Sequence, residues 1–287
     1  MTIAIIGATG QLGTLTIDAL LERGIPAGDI LALGRNAEKL AALEARGLRT
    51  ATLDLDAPDA VEATAAQLDG VEKLLLISVG MPGQALAPRG IAIDAARKAG
   101  VKHLVYTSAL EAPTTILGLA AEHKATEELV TASGIPATFL RNGWYTENHQ
   151  QEFAGARERG VIANSVGDGR LATAPRKDFA EAAAVVLTTP GHESRAYELS
   201  GDVAWSYAEF AATAQEILGT PVRYEALTPA QELEQLQTFG LDEGTAGFMV
   251  ALNGNMRDNA LAPTHGDLAR LIGHPTEPLE VTMRTWV

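Results

Sequence analysis

Three glycines near the start of the chain constrain its fold more than any other feature. The apolar run 3–6 leads directly into Gly7, Gly10 and Gly13, and an amphipathic helix begins at Gln11. Gly7 allows a tight turn, Gly10 leaves room for a pyrophosphate, and Gly13 lets the helix pack closely on the strand. This strand–turn–helix context predicts a dinucleotide-binding loop at a helix N-terminus, with an ordinary glycine turn as the alternative.

The end of the second strand bears on which dinucleotide would bind. That strand (30–33) is followed by Arg35, and no acidic residue stands where one would hold the ribose hydroxyl of NAD. Arg35 therefore favours the 2′-phosphate of NADPH, with NADH as the weaker cofactor; the alternative is a surface arginine at a helix start, which the helix dipole opposes. Asp54, after the third strand, either lies beside the adenine or caps the next helix.

The order of the predicted elements indicates the fold class. Strand and helix alternate through residue 150, which predicts an α/β protein with a doubly wound parallel sheet of the Rossmann type. Residues 151–287 are expected to form a smaller α+β lobe that closes a cleft, apart from a strand near 195–199 that returns to the sheet. The strands are predicted at 3–6, 30–33, 48–53, 71–77, 101–106, 136–140, 197–199 and 222–227, and the helices at 11–23, 37–46, from about 58, 89–99, 119–133, 176–187, 207–218 and 229–239.

Composition excludes several function classes. The 287 residues carry a formal net charge of −14, which argues against nucleic acid as a partner. There is no cysteine, so disulfides, thiolate catalysis and cysteine-ligated metals are excluded, and the histidine spacing predicts no metal site. No run approaches a membrane span and no signal segment is visible, so we expect a cytoplasmic protein.

The chain lacks the usual proton donor of short-chain dehydrogenases, a serine followed by Tyr-x-x-x-Lys on the next helix. Ser108 matches the serine, but His123 stands at the lysine position and Leu119 at the tyrosine position. Alcohol–ketone chemistry is therefore disfavoured.

A set of motifs extends over essentially the whole chain. They are Gly-Ala-Thr-Gly-Gln-Leu-Gly (7–13), Arg35, Thr107-Ser108, His123 with Glu127, Leu-Arg-Asn-Gly-Trp-Tyr (140–145), Tyr-Glu-Leu-Ser-Gly-Asp (197–202) and Leu-Ile-Gly-His-Pro-Thr (271–276). Together they resemble the NmrA-like atypical short-chain dehydrogenases, and within these most closely the type 2 NAD(P)H:quinone oxidoreductases.

The resemblance implies NADPH as cofactor, a small-molecule quinone as acceptor and a cytosolic enzyme. It carries the cofactor contacts onto Gly7, Thr9, Gly10, Gln11, Leu12, Gly13, Arg35, Ser78, Val79, Gly80, Asn142, Gly143, Trp144 and Tyr145, and on to Glu147. Whether the protein forms a homo-oligomer stays open, and no flavin motif separate from the dinucleotide loop is visible.

The candidate catalytic residues each have an alternative role. Asn142 either donates to a quinone or carboxamide oxygen or is a turn residue. Trp144 and Tyr145 supply either a stacking face for the quinone or packing for the lobe. His123 either serves the reaction or pairs with Glu127 one helical turn away. Gln11 is expected to face the nicotinamide.

The residues and the family resemblance together leave three functions open. The first is two-electron reduction of quinones by NADPH, in which positioning and an apolar surface suffice because water supplies the protons. The second is a dinucleotide-binding sensor of the NmrA type, without turnover. The third is a related reductase of dyes, azo compounds or other conjugated acceptors.

Overall fold

The computed structural model describes residues 1–78, 80 and 83–287. The first half alternates strand and helix as the sequence predicts. Its elements are β1 (Ile3–Ile6), α1 (Gln11–Glu22), β2 (Ile30–Gly34), α2 (Ala37–Glu44), β3 (Arg49–Thr52), α3 (Ala60–Gln67), β4 (Lys73–Leu76), α4 (Leu86–Lys98), β5 (His103–Ala109), α5 (Ala120–Ser133) and β6 (Ala137–Asn142).

The second half has shorter strands and more helices. Its elements are α6 (Gln150–Arg159), β7 (Val161–Asn164), β8 (Arg170–Leu171), α7 (Arg176–Thr188), β9 (Arg195–Leu199), β10 (Trp205–Ser206), α8 (Tyr207–Leu218), β11 (Arg223–Ala226), α9 (Pro229–Thr238), α10 (Glu243–Arg257), α11 (Asp267–Ile272) and α12 (Leu279–Arg284). Short 3-10 helices cover Ala27–Asp29 and Thr146–His149.

Seven strands form the central sheet, in the order β3-β2-β1-β4-β5-β6-β9, and all neighbours are parallel. The chain runs outward from β1 to β3 and then returns to β4 on the other side of β1. The carboxyl ends of β1 and β4 therefore border a topological switch point, where open α/β sheets bind their ligands.

Helices cover both faces of this sheet, because its strands are apolar on both sides. On one face Ile3 and Ile5 of β1 pack in a cluster with residues of α1, α2, α7 and α11. On the other face Ala4 and Ile6 join a cluster with residues of α4 and α5. The doubly wound parallel sheet predicted from the alternation is thus confirmed.

Residues beyond 150 take part in both the sheet and a separate cluster. β9 adds to the edge of the sheet beside β6, as predicted for the returning strand, and α7 packs against α1. A third apolar cluster gathers Phe153, Trp205 and Phe210 with neighbours from α6, α8 and α10. The boundary at residue 150 stays a prediction, since segments after it pack on both sides.

Two stretches that carried the family resemblance meet in space. The backbone N–H of Asp202 donates to the Thr276 hydroxyl at 2.9 Å, and the N–H of Thr276 donates to the Asp202 carboxylate at 2.8 Å. This reciprocal pair of hydrogen bonds connects the loop after β9 to the segment between α11 and α12.

In the described part of the chain, no helix is long and apolar enough to cross a membrane.

Candidate functional site

The glycine loop between β1 and α1 has the geometry expected of a phosphate-binding turn. Gly7 has a φ of 91°, and the N–H groups of Gly7 and Ala8 both donate to the carbonyl of Leu33 on β2. A Cβ at Gly13 would lie 2.3 Å from the Gly7 carbonyl oxygen, whereas one at Gly10 would lie 3.3 Å from it. Gly13 is therefore required by the close approach of helix and turn.

The start of α1 is open to an anion. Gly10 is its N-cap and provides no side-chain cap, so the first N–H groups of the helix have no capping partner from that residue. Gln11 is exposed and the Leu12 side chain is buried in the core, so the contact predicted for Leu12 would have to come from its backbone. The Thr9 side chain packs on Gly34, where a Cβ would lie 2.8 Å from the Thr9 hydroxyl.

Two cations stand at the end of β2. Arg35 is exposed, and within the described residues its guanidinium has no hydrogen-bond or ion-pair partner. Lys39, one turn into α2, directs its Nζ to within 3.3 Å of the Thr9 carbonyl oxygen, so it extends toward the glycine loop. Sequence reasoning missed Lys39, although its spacing of four from Arg35 on a helical segment was available as a signal.

Asp54 does not act as the helix cap that was its alternative role. Its carboxylate accepts the backbone N–H of Asp56 at 3.0 Å. Helix α3 begins later, at Ala60, and its N-cap residue is Asp59. A place beside the adenine stays a prediction for Asp54.

The exit of β4 is held by the neighbouring strand. The N–H of Ser78 donates to the hydroxyl of Thr107 on β5 at 2.9 Å. Gly80 has a φ of 103°, and a Cβ there would lie 2.6 Å from the Cα of Ala85. Val79, the third predicted contact of this segment, lies outside the described residues.

The end of β6 and the segment after it contain two buried polar atoms that stand out. Asn142 ends the strand rather than forming a turn, and its Nδ2 donates to the Tyr145 hydroxyl at 3.2 Å. The Asn142 Oδ1 and the Trp144 Nε1 are both buried and have no hydrogen-bond partner among the residues that the structure describes. One acceptor and one donor are therefore available to a bound molecule, because buried polar groups are otherwise nearly always paired.

The residues beside these two atoms have packing roles. The N–H of Gly143 donates to the Leu199 carbonyl at 2.7 Å, and a Cβ on Gly143 would lie 2.9 Å from that oxygen. The Tyr145 ring packs edge-on against Phe179 at 5.1 Å, and the Arg176 guanidinium lies 4.6 Å above it. The packing alternative predicted for Tyr145 is thus present, and burial raises the pKa of its hydroxyl.

A cavity of about 450 Å³ adjoins the glycine loop. Gln11 and Thr14 line it from α1, while Glu147 and Arg176 line it from the opposite side. The Glu147 carboxylate accepts the backbone N–H of Arg176 at 2.9 and 3.1 Å, which links the segment after β6 to the start of α7. Arg176 was missed because it is distant in sequence from every motif.

His123 has a different partner from the one predicted. Its Nδ1 lies 3.0 Å from the hydroxyl of Tyr106, which is fully buried on β5. Burial, reinforced by the nearby Arg89, lowers the pKa of His123 to about 4, so the ring is neutral at pH 7. The alternative pairing of His123 with Glu127 is wrong.

Glu127 instead joins a buried ionic network. Its carboxylate receives two hydrogen bonds from Arg141, at 2.9 and 2.7 Å, and one from the Ser108 hydroxyl at 2.6 Å. Arg141 also donates to Glu198 at 2.7 Å, which joins β6 to β9. The Ser108 proton is therefore committed to a carboxylate.

In the described residues, no group of three or more His, Asp or Glu side chains is placed to hold a metal ion.

The fold and the open start of α1 together define a dinucleotide-binding α/β protein. A family model described as NAD(P)H-binding matches residues 7–190, and the chain belongs to that family.

Individual relatives resemble the chain over nearly its full length. Quinone oxidoreductase 2 of Escherichia coli is 43% identical over 277 residues, which cover 96% of each chain. The crystal structure of that enzyme complexed with NADPH matches with a TM-score of 0.94, covering 99% of each chain at 41% identity. The NAD(P)H azoreductase of Xenophilus azovorans is 32% identical, covering 95% of this chain and 93% of its own. The resemblance inferred from the motifs is confirmed.

Proposed function

We propose that this protein is an NADPH-dependent oxidoreductase that reduces quinones by two-electron hydride transfer. One observation carries the proposal: the site presents an uncapped helix start beside two cations, Arg35 and Lys39, in a chain 43% identical to quinone oxidoreductase 2. The helix start matches a pyrophosphate. The two cations match a 2′-phosphate, and the 2′-phosphate is the part of NADPH that NADH lacks.

Different residues of the site are assigned to different parts of the cofactor. The glycine loop and the first turn of α1 would hold the pyrophosphate, and Arg35 with Lys39 would bind the 2′-phosphate. Ser78 and Gly80 would border the cofactor at the switch point. The free Oδ1 of Asn142 is suited to accept from the carboxamide amino group. When bound, NADPH supplies the hydride.

The acceptor side of the site relies on positioning. Trp144 offers a ring face to a planar acceptor, and its unpartnered Nε1 is a donor for an acceptor oxygen. His123 is a neutral donor, because a pKa of about 4 leaves almost no imidazolium at pH 7. Protons on the reduced quinone come from water.

A cytoplasmic location, a homo-oligomer and the lobe boundary at residue 150 remain predictions within this proposal.

A second candidate acceptor class is favoured by the relatives. Besides the azoreductase, the Citrobacter sp. triphenylmethane reductase complexed with NADP(H) matches with a TM-score of 0.94 at 33% identity, covering 100% of each chain. Triarylmethane dyes and azo compounds share with quinones a planar conjugated system that accepts hydride. The two classes differ in one respect: a quinone has the oxygen that Trp144 and His123 would contact in this proposal.

The test is the loss of NADPH absorbance on mixing purified protein with a simple benzoquinone, a triarylmethane dye or an azo dye. We expect oxidation of NADPH much faster than of NADH, and fastest with the quinone. Gly10→Val serves as the matched negative control, because its side chain enters the pyrophosphate position. If wild-type protein binds NADPH but oxidises it with none of the acceptors, the reductase is abandoned in favour of a dinucleotide sensor.

A further inference from the structure

Tyr106 and His123 form a hydrogen-bonded pair between the central sheet and α5. The Tyr106 side chain is fully buried, its hydroxyl lies 3.0 Å from His123 Nδ1, and the ring centroids are 6.0 Å apart. Ser108 lies two residues further along the same face of β5, toward the carboxyl edge of the sheet. The pair therefore stands just below the edge where parallel sheets bind ligands.

The burial of the phenol favours donation from the Tyr106 hydroxyl to Nδ1 of His123. A buried hydroxyl needs an acceptor, and the hydrogen-bonded neighbour of the Tyr106 hydroxyl is Nδ1 of His123. Thr126 also borders the phenol, but its hydroxyl donates to the Glu122 carbonyl at 2.7 Å and its oxygen already accepts from the Arg89 guanidinium at 3.4 Å. Burial raises the pKa of Tyr106 to about 12, so the phenol keeps its proton at pH 7.

A neutral imidazole has one N–H and one lone pair. If Nδ1 accepts from Tyr106, the single imidazole proton is on Nε2. The half-buried ring leaves Nε2 unpaired among the described residues, and that nitrogen is not among the enclosed polar atoms. An N–H donor held by the Tyr106 hydrogen bond is thus left without a partner among the described residues.

We propose that Tyr106 is a positioning residue for quinone reduction: its hydroxyl holds His123 in the Nε2–H tautomer, and His123 donates that hydrogen bond to the quinone oxygen on which negative charge develops. The inference rests on the proposed function. Hydride transfer moves two electrons and one hydrogen from the dihydronicotinamide to the quinone, leaving oxidised cofactor. The negative charge on the quinone oxygen is stabilised by the Nε2–H group and then neutralised by a proton from water.

The charged groups around the ring are compatible with this role. Arg89 on α4 disfavours a second imidazole proton, whereas Glu122 and Glu127 on α5 favour one. Both carboxylates are already engaged: Glu127 by Arg141, and Glu122 by the backbone N–H groups of Gly83 and Ala85, at 3.0 and 3.2 Å. The ring therefore stays neutral and acts as a donor rather than as an imidazolium acid.

A second tyrosine–histidine pair in the same chain provides a matched control. The Tyr197 hydroxyl lies 2.8 Å from Nδ1 of His192, whose Nε2 lies 2.7 Å from the Thr189 hydroxyl. Thr189 donates its proton to the Val185 carbonyl at 2.7 Å, so Nε2 of His192 must be the donor to Thr189. His192 is consequently an internal standard for the same tautomer, outside the residues assigned to cofactor or acceptor.

The first measurement is ¹⁵N NMR of the imidazole nitrogens at pH 7 in wild type, Tyr106→Phe and Tyr197→Phe. We expect His123 in wild type to show a protonated Nε2 and a hydrogen-bonded, unprotonated Nδ1, as His192 does. Tyr106→Phe should shift the Nδ1 signal of His123 alone, and Tyr197→Phe that of His192 alone. A protonated Nδ1 on His123 in wild type overturns the proposal, whatever the activity.

The second measurement is the kinetics of quinone reduction. Tyr106→Phe should lower kcat about tenfold, since a ring that is not held loses its orientation. It should leave the Kd for NADPH unchanged, and Tyr197→Phe should change neither quantity. His123→Leu should lower kcat by about 100-fold, as expected when one oxyanion donor is removed.

A double variant separates positioning from loss of folding. In a His123→Leu background, Tyr106→Phe should cost no further activity, because Tyr106 acts through His123. Additive losses would show that Tyr106 supports the fold instead and would overturn the inference. If wild-type protein reduces no quinone while the tautomer is as expected, the proposed function has failed and the hydrogen-bond assignment has not.

Discussion

Replacing Gly13 by alanine tests whether the close approach of α1 to the glycine turn is as tight as the structure requires. In an unconstrained helix interior, the change from glycine to alanine stabilises by about 1 kcal/mol. At Gly13, however, the new Cβ would lie 2.3 Å from the Gly7 carbonyl oxygen and 2.7 Å from the Ala8 Cα. Both atoms belong to the backbone, so no side chain can move aside. Overpacking of this kind costs about 1–3 kcal/mol.

Both clashing atoms are backbone, so we take the upper end of that range, about 3 kcal/mol. Subtracting the gain of about 1 kcal/mol in helix propensity leaves an expected net loss of about 2 kcal/mol for Gly13→Ala. At roughly 2–4 °C per kcal/mol, the melting temperature should fall by about 4–8 °C. The displaced atoms form the pyrophosphate turn, so the Kd for NADPH should rise by about tenfold or more.

Gly247 provides the matched control. It also lies inside a helix, α10, and a Cβ there would meet nothing within 4 Å. Gly247→Ala should therefore raise the melting temperature by about 2–4 °C and leave NADPH binding unchanged. Both variants are compared with wild type by thermal melting and by NADPH titration. A melting temperature of Gly13→Ala at or above that of wild type would refute the reasoning.

Three further predictions concern single residues. Arg35→Ala should weaken NADPH binding about 10- to 100-fold in a fluorescence titration, because charge-assisted hydrogen bonds to the 2′-phosphate are lost; equal losses for NADH would contradict the phosphate role. Trp144→Ala should lower quinone turnover with nearly unchanged NADPH affinity, and unchanged turnover would assign Trp144 to packing. Burial lowers the pKa of His103 to about 4, so the unfolded chain binds more protons below pH 6.5 and stability falls as pH drops toward 4. Between pH 7 and pH 5 the wild type should lose on the order of 2 kcal/mol through this residue, and urea unfolding of His103→Gln should show a correspondingly smaller loss; an identical pH dependence would refute it.

Local sequence patterns were sufficient to predict most of the first half of the fold. The alternation of apolar runs and amphipathic helices predicted the first six strands of the parallel sheet to within a few residues, because hydrophobic periodicity and glycine punctuation are properties of neighbouring residues. Strands β5 and β6 extend further than predicted, through Ala109 and Asn142, since their ends are stabilised by pairing with each other. The helices α6 and α10 were not predicted; glycines at positions such as 155 and 247 weaken their helical signal.

What the sequence by itself determined is the presence and place of a dinucleotide loop, because the required glycines, strand and helix are consecutive. It also determined Arg35 as a candidate for cofactor choice, since that residue directly follows β2. The site contacts between distant segments were decided by tertiary structure alone. His123 contacts Tyr106 rather than Glu127, and Glu147 meets Arg176, because helices α5 and α7 dock on the sheet in one particular orientation. Sequence spacing contains no information about such docking; it is fixed by the packing of the two apolar clusters on either face of the sheet.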